Sequence, residues 1–442
     1  MIPHTIRRAT VAVAATVVAL TALAGCSSGG GAAPTTDPKT AKGTISLWHY
    51  YTDREAGDIQ TVVNDFEKQY PGVKVEVHSG QSYDKVAQVI ASGGGVDVVL
   101  LGGGDNLGSI CSSGAFSDLG PYLKKDAIPA STFVQGPFLS SKFDGKQCSL
   151  PSMSDVYGLY YNTALLKAAG YTAPPRTLDE LETMALKMTT YNPDGSIKTL
   201  GFDPLMGFYE NQATSFSAIT GANWMKGGKS TISSDPAWTD LMTWQKDLVD
   251  KIGYNKLKAF TAGLGDEWSA NNAFQTGQVA MNLDGEWRGA FIDSQAPNLQ
   301  YGTAPFPTGS GHENLYGSGL SMSSYVGISS KSKNADLAWL LTKYLATDTK
   351  ALVYLTNQLQ NIPTTYASLH SSGLKISSQF KTFMNIAGDK KVYYVPQTSA
   401  GATPVTTMQN YWEQYQAGNG GDLATGLKTV DKTINDAISL GQ

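Results

Sequence analysis

Apolar and polar positions change period several times along the chain, and each change marks an element. From Thr44 the run TISLWHYY is β-rich, and Ile59, Val62, Val63, Phe66 and Tyr70 then recur at helical spacing until Pro71-Gly72 stops the helix. VKVEV alternates as a strand, Val86, Val89 and Ile90 mark a second helix ending at Gly93-Gly94-Gly95, and VDVVLL is a nearly continuous apolar run. Such a run suits a strand covered on both faces. The β-α-β-α-β order predicts an α/β fold with a mainly parallel sheet flanked by helices. In such sheets ligands collect beyond the carboxyl ends of the strands. That places His49, Tyr50 and Tyr51 after the first strand, and Gly102 to Asn106 after the third, along one rim.

Further helices are expected where the period returns to that of a helix. Thr177 to Glu180 (TLDE) is a capping box opening a helix through Leu186. Asp336 to Thr347 carries Leu337, Leu340, Leu341, Tyr344 and Leu345, and the last helix, Asp422 to Leu440, puts Leu423, Leu427, Val430, Ile434 and Ile438 on one face. These stripes are core. No internal repeat is evident.

The first 25 residues follow a different rule. Arg7 and Arg8 precede an uncharged apolar run, Ala9 to Ala24, which is too short to span a bilayer comfortably. Leu23-Ala24-Gly25-Cys26 has the form of a lipobox, at which an export signal is cut and the new N-terminal cysteine acylated. The tract Ser27 to Lys42, rich in Gly, Ser, Pro and Thr, has too little apolar surface to pack and reads as a tether. Residues 1–25 are thus expected to be a signal peptide, and residues 26–43 a lipidated cysteine with its flexible spacer.

Composition fits an exported globular protein. Apolar residues make up 41% of the 442 and charged ones 16%, and the formal net charge is −4. With no basic stripe, nucleic acid is not an expected partner. Besides Cys26 there are two cysteines, Cys111 and Cys148. In an oxidising compartment one bridge between them is the simplest assignment, two separate buried thiols the alternative. No Cys/His spacing suggests a metal, and no cofactor motif is complete: GGGDNLG misses G-x-G-x-x-G by one position. G-x-S-x-G is met only across the lipobox and its spacer, Gly25 to Gly29, and H-E-x-x-H does not occur. Eight Trp and 22 Tyr are many for so little charge.

Six stretches, in order and spacing, resemble the extracellular solute-binding proteins of the maltose-binding, sugar-uptake type. They are ISLWHYYTD, VVNDFEKQYPGVKVEV, ASGGGVDVVLL, YGLYYNTALLKAAGY, FQTGQVAMNLDGEWRGAFI and ISSKSKNADLAWLLTKYLATD. The resemblance implies two α/β lobes of the periplasmic-binding-protein type with a ligand cleft at the hinge. Lobe one would be 44–152 plus 305–352, and lobe two 153–304 plus 353–442. It implies a monomeric, lipid-anchored receptor on the outer face of the cell membrane, which hands a sugar to the permease subunits of an ATP-driven importer and performs no chemistry.

The same resemblance assigns candidate ligand residues. Trp287 matches the position of a ring-stacking tryptophan, with Asp284 and Glu286 beside it. Asp105, next to Asn106, matches an acidic sugar ligand, and Asp155, with Tyr157 in the same segment, matches a carboxylate at the first crossing between lobes. Asp53 and Arg54 stand where a polar pair bonds sugar, and Tyr209 and Glu210 match an aromatic and acidic stretch of lobe two. Trp224 and Trp268 are further candidate platforms. Tyr316 to Ser321, including Gly319, resembles the glycine-rich return strand. Two other readings stay open: an exported glycoside hydrolase using paired carboxylates, and a binding protein for a cationic osmolyte or peptide using an aromatic cage.

Overall fold

The computed structural model describes residues 40–104, 106–389 and 391–441; the leader, Cys26 with the tether as far as residue 39, and Asp105 lie outside the described residues. Strand β1 (Gly43–His49), helix α1 (Asp53–Gln69), β2 (Val73–His78), α2 (Tyr83–Ala91) and β3 (Val98–Leu101) follow the sequence pattern. Helix α1 buries Ile59, Val62, Val63 and Phe66, one stripe at i, i+3, i+4 and i+7. Each such side chain stabilises the packed state by roughly 1.5–3 kcal/mol. Helix α2 is capped by Ser82, whose side chain accepts from the Lys85 amide. All four residues of β3 are buried, as its unbroken apolar run requires. Helix α3 (Leu107–Ser112) carries Cys111, which is bridged to Cys148 across 37 residues. Closing a loop of that size contributes ~3–4 kcal/mol.

Strand β4 (Leu150–Asn162) organises everything that follows. Next in the chain come α4 (Leu178–Met188), β5 (Ile197–Phe202), β6 (Val279–Gly285), α5 (Arg288–Gln295), β7 (Tyr301–Ala304) and β8 (Ser321–Ile328). After them are α6 (Ala335–Thr347), α7 (Thr349–Leu359), β9 (Ile362–Pro363) and α8 (Leu423–Leu440). The capping box of α4 forms: Thr177 accepts from the Glu180 amide, while the Glu180 carboxylate reaches back one residue further, to the Arg176 amide.

The strand order is β2-β1-β3-β8-β4-β6-β5. One end of β4 pairs with β8, Leu150 opposite Val326 and Val156 opposite Ser321; the other pairs with β6, Gly158 opposite Asp284 and Met281 opposite Tyr161. A single strand therefore runs through both halves of the molecule. Parallel pairing holds for β1 with β2 and β3, and for β5 with β6. Strands β7, β8 and β9 all meet β4 antiparallel, so the sheet is mixed rather than mainly parallel.

Two large cores flank this shared strand. Ile45, Phe66, Leu100, Val326 and Leu345 pack in one, and Leu355 and Leu359 of α7 join it. Leu159, Phe202, Trp238, Met281, Trp412 and Ile434 pack in the other. Val156, Tyr160, Phe274, Ile362 and Phe383 form a separate cluster, to which the crossing segments β4 and β9 contribute Val156, Tyr160 and Ile362. Trp224, expected as an open platform, belongs to the second core: it is 1% exposed, meets Trp238 edge-on at 4.8 Å, and donates its Nε1 to Ser217. Among the described residues no helix is long and apolar enough to cross a membrane.

Candidate ligand-binding site

A cavity of about 1000 Å³ opens where the end of β1, the middle of β4, helix α5 and the segment after α7 converge. Tyr50, Asp53, Arg54 and Glu55 line it from one half, Trp268, Trp287 and Phe291 from the other, and Asp155 and Asn361 from the crossing segments.

The aromatic floor is built around a strand-to-helix turn. Strand β6 ends at Gly285 and α5 begins at Arg288, so Trp287 caps the helix and lies back across Gly285, where a Cβ would overlap its ring. The glycine in DGEW is thus a steric requirement of the platform. Tyr157 supports the same indole edge-on at 5.5 Å. Trp268, 47% exposed, lies 6.4 Å from Trp287 with the ring planes 32° apart. Two carbon contacts of ~3.5–4.0 Å each need more space than that, so no ligand ring fits between the two indoles, both of which line the cavity. The Trp287 Nε1 is buried and has no hydrogen-bond partner among the described residues.

Beneath this floor lies Arg288, fully buried. Its Nε donates to Asp284 at 2.7 Å, its Nη1 to the Glu267 carbonyl at 3.0 Å, and its Nη2 to the Glu267 carboxylate at 3.3 Å. The guanidinium also packs against the rings of Trp268 at 5.5 Å and Phe291 at 5.2 Å. Sequence reasoning missed this residue, although it stands four positions after Asp284. Asp284 itself, also fully buried, is spent on Arg288, the Asn282 amide and the Gly285 N–H. It is an internal counter-ion and does not face the cavity. Nearby, burial and then the charge of Asp284 push Glu267 up to about 7, and burial followed by the charge of Glu267 pushes Glu210 well above the carboxylate range.

A second carboxyl pair joins the crossings. The Asn361 side-chain amide donates to Asp155 at 2.6 Å and to Glu286 at 3.1 Å, while the other Glu286 oxygen accepts from the Val156 amide at 2.7 Å. Burial, then the charge of Asp155, pushes Glu286 well above its usual range. Burial also raises Asp155 to about 7, opposed by hydrogen bonds from Glu286 and Asn361 and reinforced by the Glu55 charge. Two carboxyl groups set this close on one amide donor disfavour ionisation of both at once. Asn361 and Glu55 carry no sequence signal for this role, since only the crossings bring them to Asp155.

The remaining expected residues divide plainly. Tyr50 lines the cavity, hydrogen-bonds Ser324 at 2.8 Å and covers Gly102. His49 is fully buried away from the cavity walls, and burial lowers its pKa to about 4. Arg54 sits at the rim, 55% exposed, donating to the Gln358 carbonyl at 2.9 Å. Tyr209 bonds the Gly265 carbonyl and receives the Ala273 amide, bracing the Trp268 loop from behind. Tyr316 is covered by the Arg176 guanidinium at 4.1 Å, and Gly319 packs against Ile386; neither lines the cavity. Asn106 accepts from the Ala402 amide at 3.2 Å.

A family model for bacterial extracellular solute-binding proteins matches residues 52–352. The maltodextrin-binding protein MdxE of Bacillus subtilis is 24% identical over 432 residues, 95% of this chain and 93% of its own. CpMnBP1, solved with mannotriose bound, has a similar structure, with a TM-score of 0.75 at 24% identity over 88% of this chain and 99% of that one. The sugar-binding protein MalE of Xanthomonas citri follows at 0.74 and 19%, over 90% and 98%. These likenesses show the two-lobed α/β fold. With more than half its length matched, the chain belongs to the bacterial extracellular solute-binding proteins, a family of substrate-binding proteins and not of enzymes.

Proposed function

We propose that the protein captures a di- or oligosaccharide between its lobes and delivers it to the permease subunits of an ATP-driven importer, held to the outer face of the cell membrane by lipid on Cys26. Lobe one would comprise 44–152 and 305 to about 360, since α7 packs in its core. Lobe two would hold the rest.

The observation that carries this reading is the cavity wall, which combines two neighbouring indoles with carboxyl and amide side chains. A sugar ring offers C–H faces to the former and hydroxyls to the latter. Maltodextrin binding by MdxE and mannotriose in CpMnBP1 support a glycan of several units. An aromatic cage for a cationic osmolyte fits less well, because the faces of Trp268 and Phe291 already meet the protein's own cation, Arg288. A hydrolase would set two carboxyls across a glycosidic bond. Asp155 and Glu286 instead lie side by side on one amide. Binding then works by shifting the balance between open and closed lobes, limited by the ligand's difference in affinity for the two.

Calorimetry against maltotriose, mannotriose and glycine betaine tests this. Binding of a glycan is expected, with Trp287→Ala weakening it more than tenfold, at least ~1.4 kcal/mol. Betaine binding alone, or reducing ends released on prolonged incubation, contradicts it.

A further inference from the structure

Away from the cavity, the two halves touch directly. The Gly108 N–H donates to the Gln397 side-chain oxygen at 3.0 Å, and the Ala402 N–H donates to the Asn106 side-chain oxygen at 3.2 Å. These are main-chain groups of one half held by side chains of the other. The approach is close enough to exclude side chains. A Cβ on Gly108 would overlap the Thr398 carbonyl oxygen and come within 2.7 Å of the Thr398 nitrogen. From the opposite side, Gly401 adopts φ +56°, and a Cβ there would stand 3.0 Å from both the Asn106 oxygen and the Ser109 hydroxyl. A glycine on each face thus lets backbone dock against backbone.

The first face is also anchored. Gly108 and Cys111 share α3, and the bridge from Cys111 to Cys148 ties that short helix to the segment entering β4, the strand common to both halves. The Gly108 contact is therefore fastened to the crossing strand on one side and offered to residues 397–402 on the other. We propose that Gly108 and Gly401 are positioning residues of a latch that sets how far the lobes close, and that they tune affinity without touching the sugar. This rests on the capture reading above.

Two measurements separate the latch from that reading. Spin labels at Lys68→Cys and Lys432→Cys, both on 75% exposed side chains, report the distance between lobes with no sugar present. The otherwise native protein is expected to show a population at the spacing seen in this structure, and Gly108→Ala to lose it. Alanine is the better helix former, so α3 itself is not weakened. Circular dichroism and an unliganded melting temperature within about 2 °C of the native value are expected to show an intact fold. In calorimetry with maltotriose or mannotriose, Gly108→Ala is expected to bind at least tenfold more weakly, and Gln397→Ala, which leaves the packing but removes one bond, about threefold. An unchanged distance distribution in Gly108→Ala overturns the latch whether or not either sugar binds. So does an affinity within twofold of native. If Gln397→Ala changes neither distance nor affinity while Gly108→Ala unfolds, the contact is structural and the latch is likewise overturned. Failure of the native protein to bind any glycan counts against the capture reading alone, because the distance measurement does not depend on it.

Discussion

Replacing Arg288 with methionine keeps most of the side chain's volume but removes the cation under the indole floor. Arg288 and Asp284 are both fully buried and joined at 2.7 Å. Breaking such a pair from one side leaves an uncompensated carboxylate in the interior, which costs about 3–5 kcal/mol. Part of that loss is recovered if Asp284 takes up a proton. Burial already raises its pKa, and the Arg288 charge is the largest influence opposing the rise. Without the guanidinium the folded-state pKa rises further above the unfolded value. The folded protein then holds more protons than the unfolded chain, and its stability falls as pH increases. Urea unfolding at pH 5 and pH 8, followed by far-ultraviolet circular dichroism, should show a clearly larger loss at pH 8. The double variant Asp284→Asn with Arg288→Met should recover more than half of it, because the fully buried partner of Arg288 then carries no charge. A loss below about 1 kcal/mol at pH 8, or an equal loss at both pH values, would refute this role.

Other perturbations address the platform, the Asp155 carboxyl and the bridge. Gly285→Ala puts a methyl group where the Trp287 ring lies; calorimetry should find its affinity loss similar to that of Trp287→Ala and not additive with it. Asp155, with a folded pKa of about 7 against an ordinary value of 3.8, binds more protons in the folded state between those limits. Stability should therefore decline from about pH 4 to about pH 7, and Asp155→Asn should flatten that decline in thermal melts across the same range. Cys148→Ala should lower unfolding free energy by ~3–4 kcal/mol, read from urea denaturation with and without reductant, and reductant should have no further effect on the variant.

Elements held by local pattern were legible in the chain. The stripe on α1, the Thr177 capping box, the covered strand β3 and the apolar face of α8 all depend on neighbours within a few residues, and the structure places them within a residue or two of expectation. The Cys111–Cys148 bridge was legible because few pairings were available. Which tryptophan faces the cavity was not. Trp224 and Trp268 both sit among Gly, Asp and Asn in the sequence, yet one packs against Trp238 while the other lies open over Arg288. That choice is made by tertiary packing. Likewise Asp284 and Glu286, two residues apart, go to different partners because the strand ends between them: Asp284 turns inward to Arg288, Glu286 toward Asn361. The antiparallel pairing around β4 escaped the local β-α-β pattern for the same reason, since its partners β6, β7, β8 and β9 lie far from it in sequence.

The most direct test of sugar capture is a crystal structure of the protein grown with the glycan giving the strongest calorimetric signal. An intact sugar is expected between the lobes, one ring face on Trp287 and hydroxyls on Asp155 and Asn361. A sugar bound elsewhere, or a cleaved product in the cavity, would contradict capture by this site.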